Sequence, residues 1–412
     1  AFERHCQPVI TTQQFKASLN IFMNGEPRQS QTEDVVDLTG FMTGSAHLFG
    51  TYFVFKLLVV LTLVFGVPLV FDRSYFLYVD FDGYVGCDYR SLNSFFSSLV
   101  CILNIDRIKA PLAVIFSSIM NTFRDLGYIW IAVRYLNKHT AMIFTFLLAT
   151  HPYLGLYHAK LATSNFAAFG VFIFVLGHTL KTRPWYFDAI QILLTGFRNG
   201  LGALYIIDYA VTAFQKGYRS WKTKTSSRRK FEINGLLRPL ICLFLTIVTV
   251  NIPSHSYIGA VSNSLVHYEL NPTFWIEALG LPTNLFSTIL GYVLLAFTNL
   301  ILLTGFREAA FTTFPEYFQS QSITTLFSIT SGLFLVVFHC CGLFFFIRWC
   351  TEHAPKILLV FVLLLPSLFF VAHMRYLLPL MPLAIFGICY LLDTSFFNRC
   401  RVLKNDSPKY RR

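Results

Sequence analysis

Charge is what this sequence has least of. Only 13% of its 412 residues are Asp, Glu, Lys or Arg, against about a quarter in a soluble domain. That shortage excludes a water-soluble globule with an ordinary charged surface. Organised cysteine is missing too. The nine cysteines are scattered, several of them (Cys242, Cys340, Cys341, Cys389) inside apolar runs, and none stands in a CxxC or Cys/His ligand spacing. Neither a zinc site nor a disulfide framework is indicated. The short alternating segments of a transmembrane β-barrel are absent. The first 48 residues are mostly polar and lack a signal-peptide hydrophobic region, so no cleaved targeting segment is expected. No repeat or low-complexity tract stands out.

Apolar length, in contrast, is abundant. Hydrophobic residues make up 55% of the chain, with 45 Phe and 20 Tyr, more aromatic surface than one water-soluble core can bury. Repeated apolar runs of roughly 18 to 25 residues match the length that crosses about 30 Å of hydrocarbon. The expected fold is therefore all-α, a polytopic transmembrane helix bundle. Spans are read at Tyr52–Phe71, Pro111–Tyr135, Ala141–His158, Asn165–Leu180, Tyr186–Val211, Leu237–Val250, Leu285–Gly305, Thr324–Arg348, Ile357–Ala372 and Leu377–Leu392. These ten put both ends on one side. The organisation expected is a polar N-terminal segment (1–48), a transmembrane domain (49–396) with an outer loop at 72–110, and a basic cytoplasmic tail (397–412).

The net charge of +12 raises nucleic acid as a partner. The basic residues gather in "KGYRSWKTKTSSRRK", Lys216 to Lys230, and in the tail "NRCRVLKNDSPKYRR". Lys and Arg accumulate on the cytoplasmic side of membrane proteins, so topology accounts for them and no nucleic acid is expected. The basic run conflicts with the even span count, because five spans on either side of it would place it outside. A break at "FRNG" (Phe197 to Gly200) within Tyr186–Val211, or a short re-entrant helix in Asn251–Pro282, would resolve the conflict.

The outer loop carries "FLYVDFDGYVGCDY", with Asp80, Asp82 and Asp88, and Asp72 just upstream. A carboxylate at the membrane surface can take the proton of an attacking hydroxyl as a general base; solvated loop acids are the plain alternative. Further along, "RSLNSFFSSLVCILNI" (Arg90 to Ile105) has near-helical apolar spacing, which fits an amphipathic helix on the membrane surface or a loop helix packed on the protein. Arg124 and Asp125 fall inside the second span, where charge is costly and faces a bundle interior or a wet cavity. As neighbours about 100° apart they need not pair, so a functional cavity and a structural ion pair are both open. Arg198 and Asp208 are further cases. "THPYLGLYHAKLATSNFAAFG" reads as a broken corner with His151, His158 and Lys160, suited to packing or lipid-headgroup contact more than to a metal. In "VAHMRYLLPLMPLAIFG", His373, Arg375 and Tyr376 precede a helix opened by Pro379 and Pro382; an interface anchor is the plain reading of these three.

Taken together, "DFDGY" (Asp80 to Tyr84), "APL" (Ala110 to Leu112), "HAKLATSNFAAF" and "HMRYLLPLMP" (His373 to Pro382) resemble motifs of the GT-C superfamily of membrane glycosyltransferases. The last resembles the RY-x-x-P-x-x-P signature of protein-mannosyltransferase and aminoarabinose-transferase relatives. The chain departs from the pattern in having Asp-Phe-Asp where an Asp-Glu pair is common, and Asn165 where the corner often ends in Asp. The resemblance implies a GT-C-type bundle with a surface helix in the first outer loop. It implies transfer of a sugar from a polyprenyl-phosphate donor to a glycan, lipid or protein hydroxyl of the cell envelope. Asp82 or Asp80 would be the base and Tyr84 a stacking ring. Arg375, Arg124 and Lys160 would balance the departing phosphate, with Tyr376 and His373 beside them. No cofactor is certain, and a divalent metal is the other way to balance that charge. Membrane lipids complete the expected partners. The location expected is multi-pass integral membrane, the bacterial inner membrane being preferred to the endoplasmic reticulum. The alternatives are a transporter or flippase of lipid-linked sugars, or an O-antigen-type polymerase on another fold.

Overall fold

The computed structural model describes residues 38–71, 110–158, 163–180, 183, 185–195, 201–223, 233–251, 276–277, 279–301, 322–364 and 378–397. Among the described residues every regular element is helical, in keeping with an all-α fold. In chain order these are α1 (Leu38–Phe71), α2 (Ala110–Tyr135), α3 (Lys138–Thr150), α4 (Pro152–Leu156), α5 (Thr163–Thr179) and α6 (Trp185–Thr195). After a 3₁₀ turn at Leu201–Ala203 come α7 (Leu204–Thr223), α8 (Ile233–Asn251), α9 (Leu285–Ile301) and α10 (Ser322–His353). A second 3₁₀ turn (Pro355–Leu358) leads into α11 (Leu359–Leu364), and α12 (Met381–Leu392) follows and closes in a π turn at Asp393–Phe397. Among the described residues no helix is long and apolar enough to cross a membrane. The amphipathic segment expected in the outer loop lies outside the described residues.

Several boundaries follow from local chemistry. The run expected from Ala141 through His158 stops at Thr150, because Pro152 cannot donate to the helix and biases the residue before it away from the helical region. His151 duly sits at φ −59°, ψ 119°, and Pro152 opens α4. Asn137 caps α3 by accepting from the Thr140 amide at 2.9 Å. Pro382 stands in the first turn of α12, where its missing N–H costs nothing. The expected span Tyr186–Val211 divides into α6 and α7, and α7 continues to Thr223, so the basic run begins inside a helix. The boundary expected after residue 48 falls within α1, which starts at Leu38.

The core is aromatic. Trp349 on α10 stacks on Phe346 at 5.4 Å and on His353 at 5.4 Å, and meets Phe386 of α12 edge-on at 5.0 Å and Tyr135 of α2 at 5.1 Å. Phe144 of α3 reaches Phe386 from the other side, 6.1 Å between centroids. Asn137 donates to Asp393, joining the start of α3 to the end of α12 across 256 positions.

α10 and α12 approach so closely that only glycine fits at their crossing. A Cβ on Gly342 would lie 2.2 Å from the Ala384 carbonyl oxygen, and one on Gly387 only 1.8 Å from the Gly342 carbonyl oxygen. Small residues at a crossing let backbones pack directly. Gly387→Ala must push the helices apart, and overpacking of this kind costs about 1–3 kcal/mol or more. A clear fall in melting temperature is expected. Gly50→Ala is the control, since a Cβ there meets nothing within 4 Å and alanine favours a helix. Equal melting of the two variants would refute the crossing.

Candidate functional site

Of the candidate residues, Asp80, Asp82, Tyr84, Lys160, His373, Arg375 and Tyr376 lie outside the described residues. Arg124 is described, and it anchors one of two buried ionic clusters.

The first cluster forms where α1, α2 and the α3–α4 corner meet. Leu48, Tyr52 and Lys56 recur every fourth residue on α1, and all three are buried. The Tyr52 hydroxyl donates to Asp125 Oδ2 at 2.8 Å, and Lys56 Nζ lies 3.5 Å from the same oxygen. Lys56 also donates to the Leu148 carbonyl at 3.1 Å. Arg124 donates through Nε (2.9 Å) and Nη2 (2.8 Å) to Asp125 Oδ1. The neighbours that need not have paired therefore do pair, because the long arginine side chain folds back along the helix to the only described carboxylate in reach. Charge is nevertheless unequal: two cations meet one carboxylate. Arg124 Nη1, the Tyr128 hydroxyl, Asn121 Oδ1 and His158 Nδ1 are buried with no hydrogen-bond partner among the described residues.

Polar order continues at the corner. Asn121 donates to the His158 carbonyl at 2.8 Å, and Asn165 donates to the Tyr157 carbonyl at 2.7 Å, so both amides tie down the chain after α4. His158 Nε2 lies 3.3 Å from Thr122 Oγ1. His151 meets not His158 but His339 of α10, Nε2 to Nε2 at 3.0 Å. At that distance one ring donates and the other accepts, so the pair holds at most one proton between its facing nitrogens.

The second cluster gathers around Asp188 and Asp208. Arg238 of α8 forks onto Asp188 with Nε at 2.6 Å and Nη2 at 2.9 Å, and its Nη1 donates to the Arg183 carbonyl at 3.0 Å. The Tyr209 hydroxyl also donates to Asp188. Arg183 bridges the two acids, Nη1 to Asp208 at 2.7 Å and Nε to Asp188 at 3.2 Å, while its guanidinium lies 4.3 Å from the centre of the Tyr205 ring. Lys356 Nζ reaches Asp208 at 2.8 Å and Thr212 at 2.6 Å, and His178 approaches Asp208 at 3.3 Å. Burial works against the Arg183 charge, but the hydrogen bond to Asp208 and the field of Asp188 outweigh it and hold its pKa above the ordinary value.

Sequence reasoning singled out Asp208 but missed Asp188, Arg183, Arg238 and Lys356. It also passed over Lys56, although a lone lysine in "FVFKLLVVLTLVF" is a readable signal. Among the described residues no group of three or more His, Cys, Asp or Glu side chains is placed to hold a metal ion. Asp188 and Asp208, the one pair of neighbouring acids in these clusters, are taken up by Arg183, Arg238 and Lys356, so this donor set does not fit a divalent metal. Compared with protein-family models, curated proteins and solved structures, the chain matches none.

Proposed function

We propose that the chain is an integral membrane glycosyltransferase moving a sugar from a polyprenyl-phosphate donor onto an envelope hydroxyl. The observation that carries the membrane half of this reading is an inverted distribution of side chains. On α1, Phe53, Val54, Leu57 and Leu58 are 50–58% exposed while Lys56 between them is 4% exposed. On α2, Ile115, Ile119 and Phe123 face out while Ser117, Asn121, Arg124 and Asp125 are buried. The same outward apolar stripe recurs on α8 (Leu237, Leu240, Ile241, Phe244) and α9 (Leu285, Phe286, Ile289, Val293). Monomers in water rarely expose large continuous apolar patches, and intramembrane charge turns inward to find partners.

The chemistry rests on the outer-loop acids and the His373–Pro382 motif. Asp82 or Asp80 removes the acceptor proton, and the hydroxyl attacks the anomeric carbon. Polyprenyl phosphate departs as its charge is met by preorganised cations. With two nitrogens on Asp125, Arg124 is the poorer candidate for that task. Arg375 and Lys160 remain, Arg375 with a fork suited to phosphate.

The test is reconstitution. Purified protein in liposomes, given a polyprenyl-phosphate sugar and a hydroxyl acceptor, is expected to yield glycosylated acceptor and free polyprenyl phosphate together. Translocation of the intact lipid-linked sugar with no release of polyprenyl phosphate would replace the transferase by a flippase.

A further inference from the structure

Asn121, Arg124, Asp125 and Tyr128 recur at three- and four-residue steps, so they share one face of α2, with adjacent Cβ atoms about 5–6 Å apart. On this face the charges do not cancel. Lys56 and Arg124 are 4% and 1% exposed, and their shared carboxylate is that of Asp125 alone among the described residues. Two hydrogen-bond donors on residues one turn apart, Arg124 Nη1 and the Tyr128 hydroxyl, have no partner among the described residues, and both are buried. Phe172 closes over the Tyr128 ring at 5.1 Å between centroids, so the wall there is apolar. A water molecule can satisfy an orphan donor but leaves the surplus charge in place. A surplus cation removed from water calls for an anion.

We infer that a small monovalent anion sits against Arg124 Nη1 and the Tyr128 hydroxyl as the resident counter-ion of the Lys56–Arg124–Asp125 cluster. One charge is called for, because the surplus among the described residues is one. The anion is small, because both donors that meet it are buried. Its attraction is strong because the surroundings are dry and of low dielectric. This ion is distinct from the donor phosphate, and its presence does not depend on the transferase reading.

Chloride is the probe. The full chain, purified in detergent, is melted while sodium gluconate is exchanged for sodium chloride at constant ionic strength. A ligand that binds only the folded state raises the melting temperature saturably, here by on the order of 2–4 °C. Arg124→Gln leaves Lys56 and Asp125 balanced and is expected to abolish the response. Tyr128→Phe keeps the charges and removes one donor, so its response should need roughly tenfold more chloride, the equivalent of one lost hydrogen bond. Because Tyr128→Phe removes a single hydroxyl, it serves as the informative variant should Arg124→Gln fail to fold. Melting that is indifferent to the anion overturns the inference, as does an undiminished response in Tyr128→Phe. Stabilisation by inorganic phosphate but not by chloride overturns it as well, and assigns the face to a phosphate group.

Discussion

Asp125→Ala is expected to cost about 3–5 kcal/mol of stability, the range found when one partner of a buried ion pair is removed. The carboxylate accepts four interactions at once: the Tyr52 hydroxyl, Lys56, and two nitrogens of Arg124. Its loss strands two positive charges and a phenol in a region where Tyr52 and Asp125 are fully buried. Folded proteins have only about 5–15 kcal/mol in hand, so the variant should melt far below the parent or fail to accumulate. Asp125→Asn isolates the charge, because the amide oxygen can still accept from Tyr52 but no longer neutralises either cation. It should lie close to alanine. Adding Lys56→Met to Asp125→Asn removes one stranded cation and should recover part of the loss, which a double-mutant cycle measures. Thermal unfolding in detergent decides the matter. An Asp125→Ala protein that melts with the parent would mean that α1 and α2 do not meet through this carboxylate.

On the proposed transferase reading, Asp82→Asn is expected to lower sugar transfer by about 10² to 10⁴, the range for loss of a general base, while leaving donor binding and folding intact. The choice of Asp82 among four outer-loop acids rests on its neighbours. Asp72 stands next to Arg73 in the sequence, a basic neighbour that competes for its charge. Asp88 follows Gly86 and Cys87 and lies furthest along the sequence from α1. Asp80 and Asp82 remain. Only Asp82 is followed by Gly83, which allows close approach of backbone and substrate, and by Tyr84, whose ring can stack on a sugar. Normal turnover in Asp82→Asn with a dead Asp80→Asn moves the role by two residues. Full activity in both variants, measured as release of polyprenyl phosphate, ends the glycosyltransferase reading.

How much of this was legible beforehand depends on how far apart the interacting residues lie. A broken corner was legible in the stretch from Thr150 to Gly170. Its place at His151–Pro152 was not, since the expected span ran on to His158, although proline acts on its immediate neighbours. The break expected at "FRNG" falls between α6 and α7, outside the described residues. Arg124 and Asp125 stood out as charges in an apolar run, and the structure places both in the interior. Their partners did not stand out. Tyr52 and Asp125 are 73 positions apart, and nothing in either local pattern names the other. Arg238 and Asp188 are 50 apart, and Arg238 reads as one more basic residue until α8 is laid against α6. The Gly342–Gly387 crossing was hidden for a further reason. A small residue is a permission for contact, and the sequence does not say which of many helices will use it.

The link between Asn137 and Asp393 has a consequence in time. At roughly 5–20 residues per second of synthesis, the 256 positions between them mean that α3 waits on the order of 10–50 s for the helix that covers it. During that interval Phe144 has no Phe386 to meet, and the start of α3 lacks the aspartate that its cap engages. A newborn chain stalled before α12 would display an unfinished face to chaperones and proteases. Slow codons between α3 and α12 should lengthen that exposed interval and lower the yield of folded protein without altering a single side chain.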